Sequence, residues 1–384
     1  MHPILTWTAA DGTPHQAAWR SLAGHPAPER LQLADDRLGA DAALRAVESG
    51  TGLLWQGDYL NARHLLQAMS RRLEARLQRP GAQPAGQGPA EAFARHRALQ
   101  GERARLLGRL LLRLDADHQL GLPRAPDVAD AAREAHGPVD GPWITSLREL
   151  LGLIGAHEWR KKGVPVPALG RKALVHPHYG VFSPVRGEYV QLVAEAPLPA
   201  IVHGAGAFDI GTGTGVLAAV LAQRKLRVTA TDNQPAALAC AAENLAQLKL
   251  DKRVTLLQAD LFPPGHAGLI VCNPPWVPAT PASPLESAVY DPDSRMLRGF
   301  LAGLAAHLSR GGEGWLILSD LAEHLGLRSR AELLGWIEAG GLCVIDRIDT
   351  QPVHPKSRDA GDPLAIARAQ ELTSLWRLGH RPKG

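Results

Sequence analysis

Four short apolar runs between residues 207 and 276, the first passing into a glycine turn and the other three to a polar residue, restrict the fold more than any other feature of the sequence. The first, Ala207–Ile210, enters a turn containing Gly211, Gly213 and Gly215, after which residues 216–221 read as a helix. Short apolar runs bounded by turn signals are strands, and strands alternating with helical patterns build a parallel sheet. Glycines at a strand-to-helix turn open backbone conformations closed to other residues and let a ligand approach the main chain. A nucleotide-like ligand is the expectation.

The spacing argues against a dinucleotide. That fingerprint needs G-x-G-x-x-G with a phosphate on the helix N-terminus, and here the third glycine comes one residue early. Asp209 also stands before the first glycine, where it faces a cationic group more comfortably than a pyrophosphate. S-adenosylmethionine carries an ammonium and a sulfonium and no phosphate. The second run, residues 226–231, ends in Asp232, at a separation from the turn that suits ribose hydroxyls. The third, residues 254–259, ends in Asp260, placed for an adenine amine. The candidate cofactor-binding residues are therefore Asp209, Gly211, Thr212, Gly213, Gly215, Asp232, Asn233, Asp260 and Leu261, joined by Asn273.

The fourth run, residues 269–272, delivers Asn273-Pro274-Pro275-Trp276 at a strand's carboxyl end, where open α/β sheets bind ligands. An amide or aromatic amine is a poor nucleophile because its lone pair is delocalised into a neighbouring π-system. Hydrogen bonds from such an NH2 to the Asn273 side-chain oxygen and the Pro274 carbonyl would aim the lone pair at a methyl group. Prolines restrict the backbone that carries these acceptors, and Trp276 offers a flat face to a planar target. Asn273, Pro274, Pro275 and Trp276 are the candidate catalytic residues, acting through positioning and electrostatics.

Residues 207–276 resemble the class I S-adenosylmethionine-dependent methyltransferases of the amino-methylating group, which carry a D-x-G-x-G-x-G loop and an Asn-Pro-Pro-aromatic motif, as the small-domain methyltransferases do. Within that group the chain is similar to the release-factor glutamine methyltransferases over Gly180-Val181-Phe182-Ser183-Pro184-Val185-Arg186-Gly187-Glu188-Tyr189. That family usually reads Pro-Arg-Pro-x-Thr-Glu there and has Tyr in place of Trp276. The resemblance implies an α/β fold, a Rossmann-like seven-stranded sheet of order 3-2-1-4-5-7-6 with an antiparallel seventh strand. It also implies that the segment bearing Phe182 and Arg186 covers the bound cofactor. The acceptor it implies is a glutamine side chain in a protein, a translation factor among the candidates. An exocyclic amine of adenine or guanine in RNA, less readily DNA, is the alternative, since it presents the same planar NH2. A cofactor-binding adaptor without catalysis is a further alternative, against which the intact Asn273 and Trp276 speak.

The rest of the chain says less. Its 384 residues suggest two domains, with a boundary near residue 166 where Pro165 and Pro167 interrupt the pattern. Residues 1–165 read as a mainly helical, substrate-recognising domain and 166–384 as the methyltransferase domain. Candidate helices are Ala40–Glu48, the stretch of Leu65, Leu66, Met69, Leu73 and Leu77, residues 91–115, and residues 143–159. Residues 80–90 are rich in proline and glycine and read as a flexible segment. The arginines beside the apolar stripes read either as a nucleic-acid or acidic-protein docking face or as a solvated one. Net charge is +4 with a pI near 9.1, a weak lean towards an anionic partner.

Cys240, Cys272 and Cys343 form no motif, which argues against a disulfide framework or thiolate metal site, and His176 and His178 lack further ligands at metal spacing. No leader or membrane-length apolar run is evident, so a soluble cytoplasmic protein is expected. Oligomeric state is not legible. Beyond the motif, residues 277–295 read as a substrate-side loop, 296–308 as a helix, 314–318 as a fifth strand, 331–339 as a helix, and 342–348 and 371–378 as the terminal strand pair. His354-Pro355-Lys356-Ser357-Arg358-Asp359 reads as the connection within that pair.

Overall fold

The computed structural model describes residues 2–77, 88–184, 187–281, 286–352 and 365–382. It divides into two compact units, residues 1–87 with 94–158, and residues 88–93 with 159–384. The division after Glu158 falls inside a helix, earlier in the chain than the proline-marked boundary expected near residue 166.

The first unit contains β1 (Ile4–Thr8), β2 (Pro14–Trp19), β3 (Arg30–Ala34), α1 (Ala40–Glu48), β4 (Thr51–Trp55), α2 (Tyr59–Leu77), most of α3 (Pro89–Leu107), β5 (Leu110–Leu114), α4 (Ala129–His136), β6 (Trp143–Ser146) and the start of α5 (Leu147–Lys162). Its strands form one six-stranded sheet in the order β1-β2-β6-β5-β4-β3. Strands β3, β4 and β5 run parallel, β6 runs antiparallel to β5, and the β1–β2 hairpin adds to β6 through β2. The expectation of a mainly helical N-terminal domain is thereby corrected.

Two strands lie where the pattern reads as helix: β5 at the end of the stretch 91–115, and β6 at the start of 143–159. Strand β5 is buried except at Arg113, and all of β6 is buried. A strand covered on both faces loses the alternation of apolar and polar residues, and a short apolar run cannot then be told from the buried end of a helix by period alone. The helices α1 and α2 lie where the periodicity puts them. Several arginines of α2 and α3 are held in intramolecular ion pairs, Arg72 with Asp41, Arg76 with Glu48, Arg103 with Glu74 and Arg105 with Glu102, which favours the solvated-face reading. The flexible segment expected at 80–90 lies largely outside the described residues, and Pro89 is the first residue of α3.

In the second unit a short antiparallel ribbon, β7 (Val164–Pro165) and β8 (Leu174–Val175), leads into α6 (Glu188–Glu195) and α7 (Val202–Ala205). The main sheet follows: β9 (Ala207–Ile210), α8 (Val216–Gln223), β10 (Val228–Asp232), α9 (Pro235–Gln247), β11 (Val254–Gln258), β12 (Ala267–Cys272), α10 (Arg295–His307), β13 (Leu308–Ser319), α11 (Leu321–His324), α12 (Arg330–Ala339), β14 (Leu342–Thr350), α13 (Ala365–Gln370) and β15 (Thr373–His380). The strand order is β11-β10-β9-β12-β13-β15-β14. Counted from β9, this is the expected 3-2-1-4-5-7-6, and β15 is antiparallel to both neighbours.

Alternation along each strand builds two cores. Leu269 and Val271 of β12 pack with α6 and α8, while Ile270 and Cys272 pack with Leu297, Phe300, Leu301 and Leu304 of α10. Helices thus cover both faces, and the carboxyl ends of β9, β10 and β12 are left to carry loops. No helix among the described residues is long and apolar enough to cross a membrane.

Candidate active site

The glycine turn leaves β9 with Gly211, Gly213 and Gly215 at φ of 72°, 53° and 80°. At Gly211 a Cβ would lie 2.5 Å from the terminal methyl of Met296 in α10, which a flexible side chain can withdraw, so the left-handed backbone is the stronger reason for the first glycine. At Gly213 a Cβ would meet nothing within 4 Å, which leaves the backbone open on that side to a ligand.

Asp209 holds the turn from inside. Only 1% of it is exposed, and its Oδ2 accepts from the Thr212 hydroxyl at 2.7 Å and the Ala218 N–H at 3.0 Å. Its Oδ1 is buried without a partner among the described residues. Burial raises its pKa to about 6, against which these two hydrogen bonds work. The expectation was a carboxylate facing a cationic group, and the fold gives it a second task, bracing the turn. The unpaired oxygen still fits a cationic ligand, since a buried acceptor without a donor is costly.

Across the turn, Asp232 at the end of β10 accepts from the Gly213 N–H and from the Gln234 N–H, each at 3.0 Å. Two of a carboxylate's roughly four acceptor positions are then used, and the others remain for hydroxyls. Asn233 is exposed beside it, and its carbonyl accepts from the Gln258 amide. Asp260 is 58% exposed and paired with Arg295 at 2.6 Å, so an amine would have to compete with a guanidinium there. Leu261 stands at φ 76°, with its carbonyl accepting from the Thr231 hydroxyl at 2.6 Å.

The Asn-Pro-Pro-Trp segment follows β12. Pro274 is buried, and Asn273, Pro275 and Trp276 are half-buried. The Trp276 indole N–H donates to Asn273 Oδ1 at 2.9 Å. An amide oxygen has two lone pairs, so one stays available to an incoming N–H, and the indole fixes which way the amide faces. Sequence reasoning gave Trp276 a flat face alone; its donor role is a finding of the geometry. Cys272 is fully buried, and burial raises its thiol pKa well above the ordinary range, which suits strand packing and not nucleophilic attack.

The segment before the sheet is tied to α9. The His176 N–H donates to Asn244 Oδ1 at 2.7 Å, and His178 Nε2 lies 2.7 Å from Glu243, whose carboxylate also takes Arg160. These histidines hold the chain in place; among the described residues no group of acids, histidines or cysteines is arranged for a metal ion. Phe182 follows at 37% exposure, and Arg186 lies outside the described residues.

Two residues of the site were not foreseen. Asn244, 1% exposed, links the His176 segment to the glycine turn by donating to the Thr214 carbonyl at 3.0 Å. An amide on the buried face of an alanine-rich helix was the available signal. Asp291 caps α10 by accepting from the Met296 and Leu297 N–H groups at 2.9 and 3.3 Å. An acid just before a helical pattern announces such a cap.

Residues 173–329 match the family described as Methyltransferase small domain. A release factor glutamine methyltransferase of Mycolicibacterium smegmatis is 31% identical over 223 residues, covering 55% of this chain and 70% of that protein. The protein of the same description from Cereibacter sphaeroides is 33% identical over 175 residues, 42% of this chain, and the chain spans only 58% of its length. A tRNA1(Val) (adenine(37)-N6)-methyltransferase of Pedobacter heparinus is 33% identical over 140 residues, covering 33% of this chain and 60% of that protein.

Proposed function

The chain belongs to the methyltransferase family of the release factor glutamine methyltransferases, and from that membership we propose that it methylates a planar amide nitrogen, the side chain of a glutamine in a protein, with S-adenosylmethionine as donor. The observation that carries the reading is the Asn273 amide oxygen at the end of β12, oriented by the Trp276 indole at 2.9 Å.

When bound, S-adenosylmethionine supplies a methyl group made electrophilic by its sulfonium. Asp209, the glycine turn, Asp232 and Asn233 would hold it, with Asp260, Leu261 and Phe182 at the margins. The protein's part in the chemistry is then positional. Asn273 Oδ1 and the Pro274 carbonyl accept the two N–H groups of the acceptor amide and direct its lone pair. The Trp276 ring lies along the planar group, and its N–H keeps the Asn273 oxygen turned to the acceptor. No strong base is required, because the nitrogen becomes acidic only once it is alkylated. The first unit, whose sheet carries none of these residues, takes a share in selecting the acceptor.

The adenine-modifying relative supports a second reading, a purine amine in RNA, because Asn273 and Trp276 suit that group equally. Asn273→Ala tests the shared mechanism: methyl transfer should fall about a hundredfold or more, while the cofactor still binds. Wild-type turnover in that variant would remove Asn273 from the mechanism.

A further inference from the structure

Arg328 lies in the turn between α11 and α12 and is 3% exposed. Its Nη1 reaches the Trp276 carbonyl at 3.5 Å, while Nε and Nη2 are buried with no hydrogen-bond partner among the described residues. Those two nitrogens form one straight edge of the guanidinium, the edge that grips a carboxylate or phosphate with two parallel hydrogen bonds. Burial is the largest influence on the group and lowers its pKa. A buried charge left without a partner is costly, and a bound ligand is one of the few things that accounts for it.

The acids nearest Arg328 are already engaged. Glu323 pairs with Arg330, Glu332 caps α12 through Ser329, and Asp291 caps α10. The surroundings are apolar: the adjacent Leu327 and the contacted Trp276 both pack on the cluster of Phe93, Val277, Leu321 and Leu325. A guanidinium edge left open among the described residues, in an apolar setting, suits one carboxylate. A nucleic-acid backbone would call for a row of cations, and neighbouring Arg330 is paired with Glu323.

We propose that the Nε and Nη2 edge of Arg328 seats a carboxylate of the acceptor protein, carried by an acidic residue close to the methylated glutamine. The proposal rests on the glutamine reading above. It makes Arg328 a specificity-determining residue, and through the Trp276 carbonyl it couples the correct acceptor to the Asn-Pro-Pro-Trp segment.

The test is calorimetric binding of capped, glutamine-centred tripeptides to the cofactor-loaded enzyme, with alanine or glutamate on either side of the glutamine. Wild type should prefer a glutamate-bearing peptide by roughly tenfold or more. Arg328→Gln should lose the preference, and Arg328→Lys, which keeps charge but not the fork, should regain only part of it. Arg328→Met should melt no lower than wild type, since it removes an uncompensated buried charge. Equal affinity for acidic and neutral peptides, a preference that survives Arg328→Gln, or lower melting in every variant would overturn the proposal. So would binding of a uridine oligonucleotide that Arg328→Gln abolishes, which would assign the edge to a phosphodiester. Mass analysis of the same peptides separates the two readings. Acid preference without a methylated peptide keeps the fork and rejects the glutamine acceptor; methylation without acid preference does the reverse.

Discussion

Asp209 is the residue at which the fold and the proposed cofactor site meet, because the oxygen that braces the glycine turn and the oxygen left without a partner among the described residues belong to one carboxylate. Its ordinary pKa of 3.8 rises to about 6 in the fold. The folded state therefore binds the proton more tightly than the unfolded one, so stability from this group is greatest below the unfolded value and falls as pH rises through the folded one. The loss is on the order of 2 to 3 kcal/mol by about pH 8. Asp209→Asn should flatten the melting profile between about pH 4 and 7 and weaken cofactor binding; a variant that keeps the wild-type decline would assign that decline elsewhere. Trp276→Phe keeps an aromatic face, a smaller one, and deletes the donor to Asn273. Turnover should fall about tenfold with cofactor affinity unchanged, and unaltered turnover would show that the indole bond does not orient the amide. The acids and the Asn-Pro-Pro-Trp segment were legible because each ends an apolar run. The bracing role of Asp209 was not, because it depends on a turn folding back over its own strand.

At the scale of elements, the glycine turn is fixed by what packs around it. Gly211→Ala would place a methyl against Met296 at a positive φ, and should cost about 1–3 kcal/mol in urea unfolding. Adding Met296→Ala should return part of that loss; if it returns none, backbone conformation alone explains the first glycine. Strands β9, β10, β11 and β12 were readable because a turn residue or an acid closes each. Strands β5 and β6 were not, since their buried apolar runs abut helices without an intervening breaker strong enough to separate them. The positions of Asn244 and Asp291 emerge only when α9 and α10 are set against the turn.

For the whole molecule, the second unit has the strand order expected of its motifs, whereas the first carries a mixed sheet that composition concealed. Arginines of the first unit that suggested a nucleic-acid face are in good part paired with its own acids. Acceptor binding should accordingly depend only weakly on salt; a loss of several powers of ten between about 50 and 200 mM would point to phosphate contacts. The central claim is methyl transfer to a protein amide, and the measurement that meets it directly is the fate of label. A lysate from cells lacking the enzyme is incubated with wild-type protein or Asn273→Ala and methyl-labelled S-adenosylmethionine, then split between protease and nuclease. The account predicts label that depends on Asn273, survives nuclease, is lost to protease and resides on glutamine. Label that survives protease and is lost to nuclease would contradict it and make the acceptor a base.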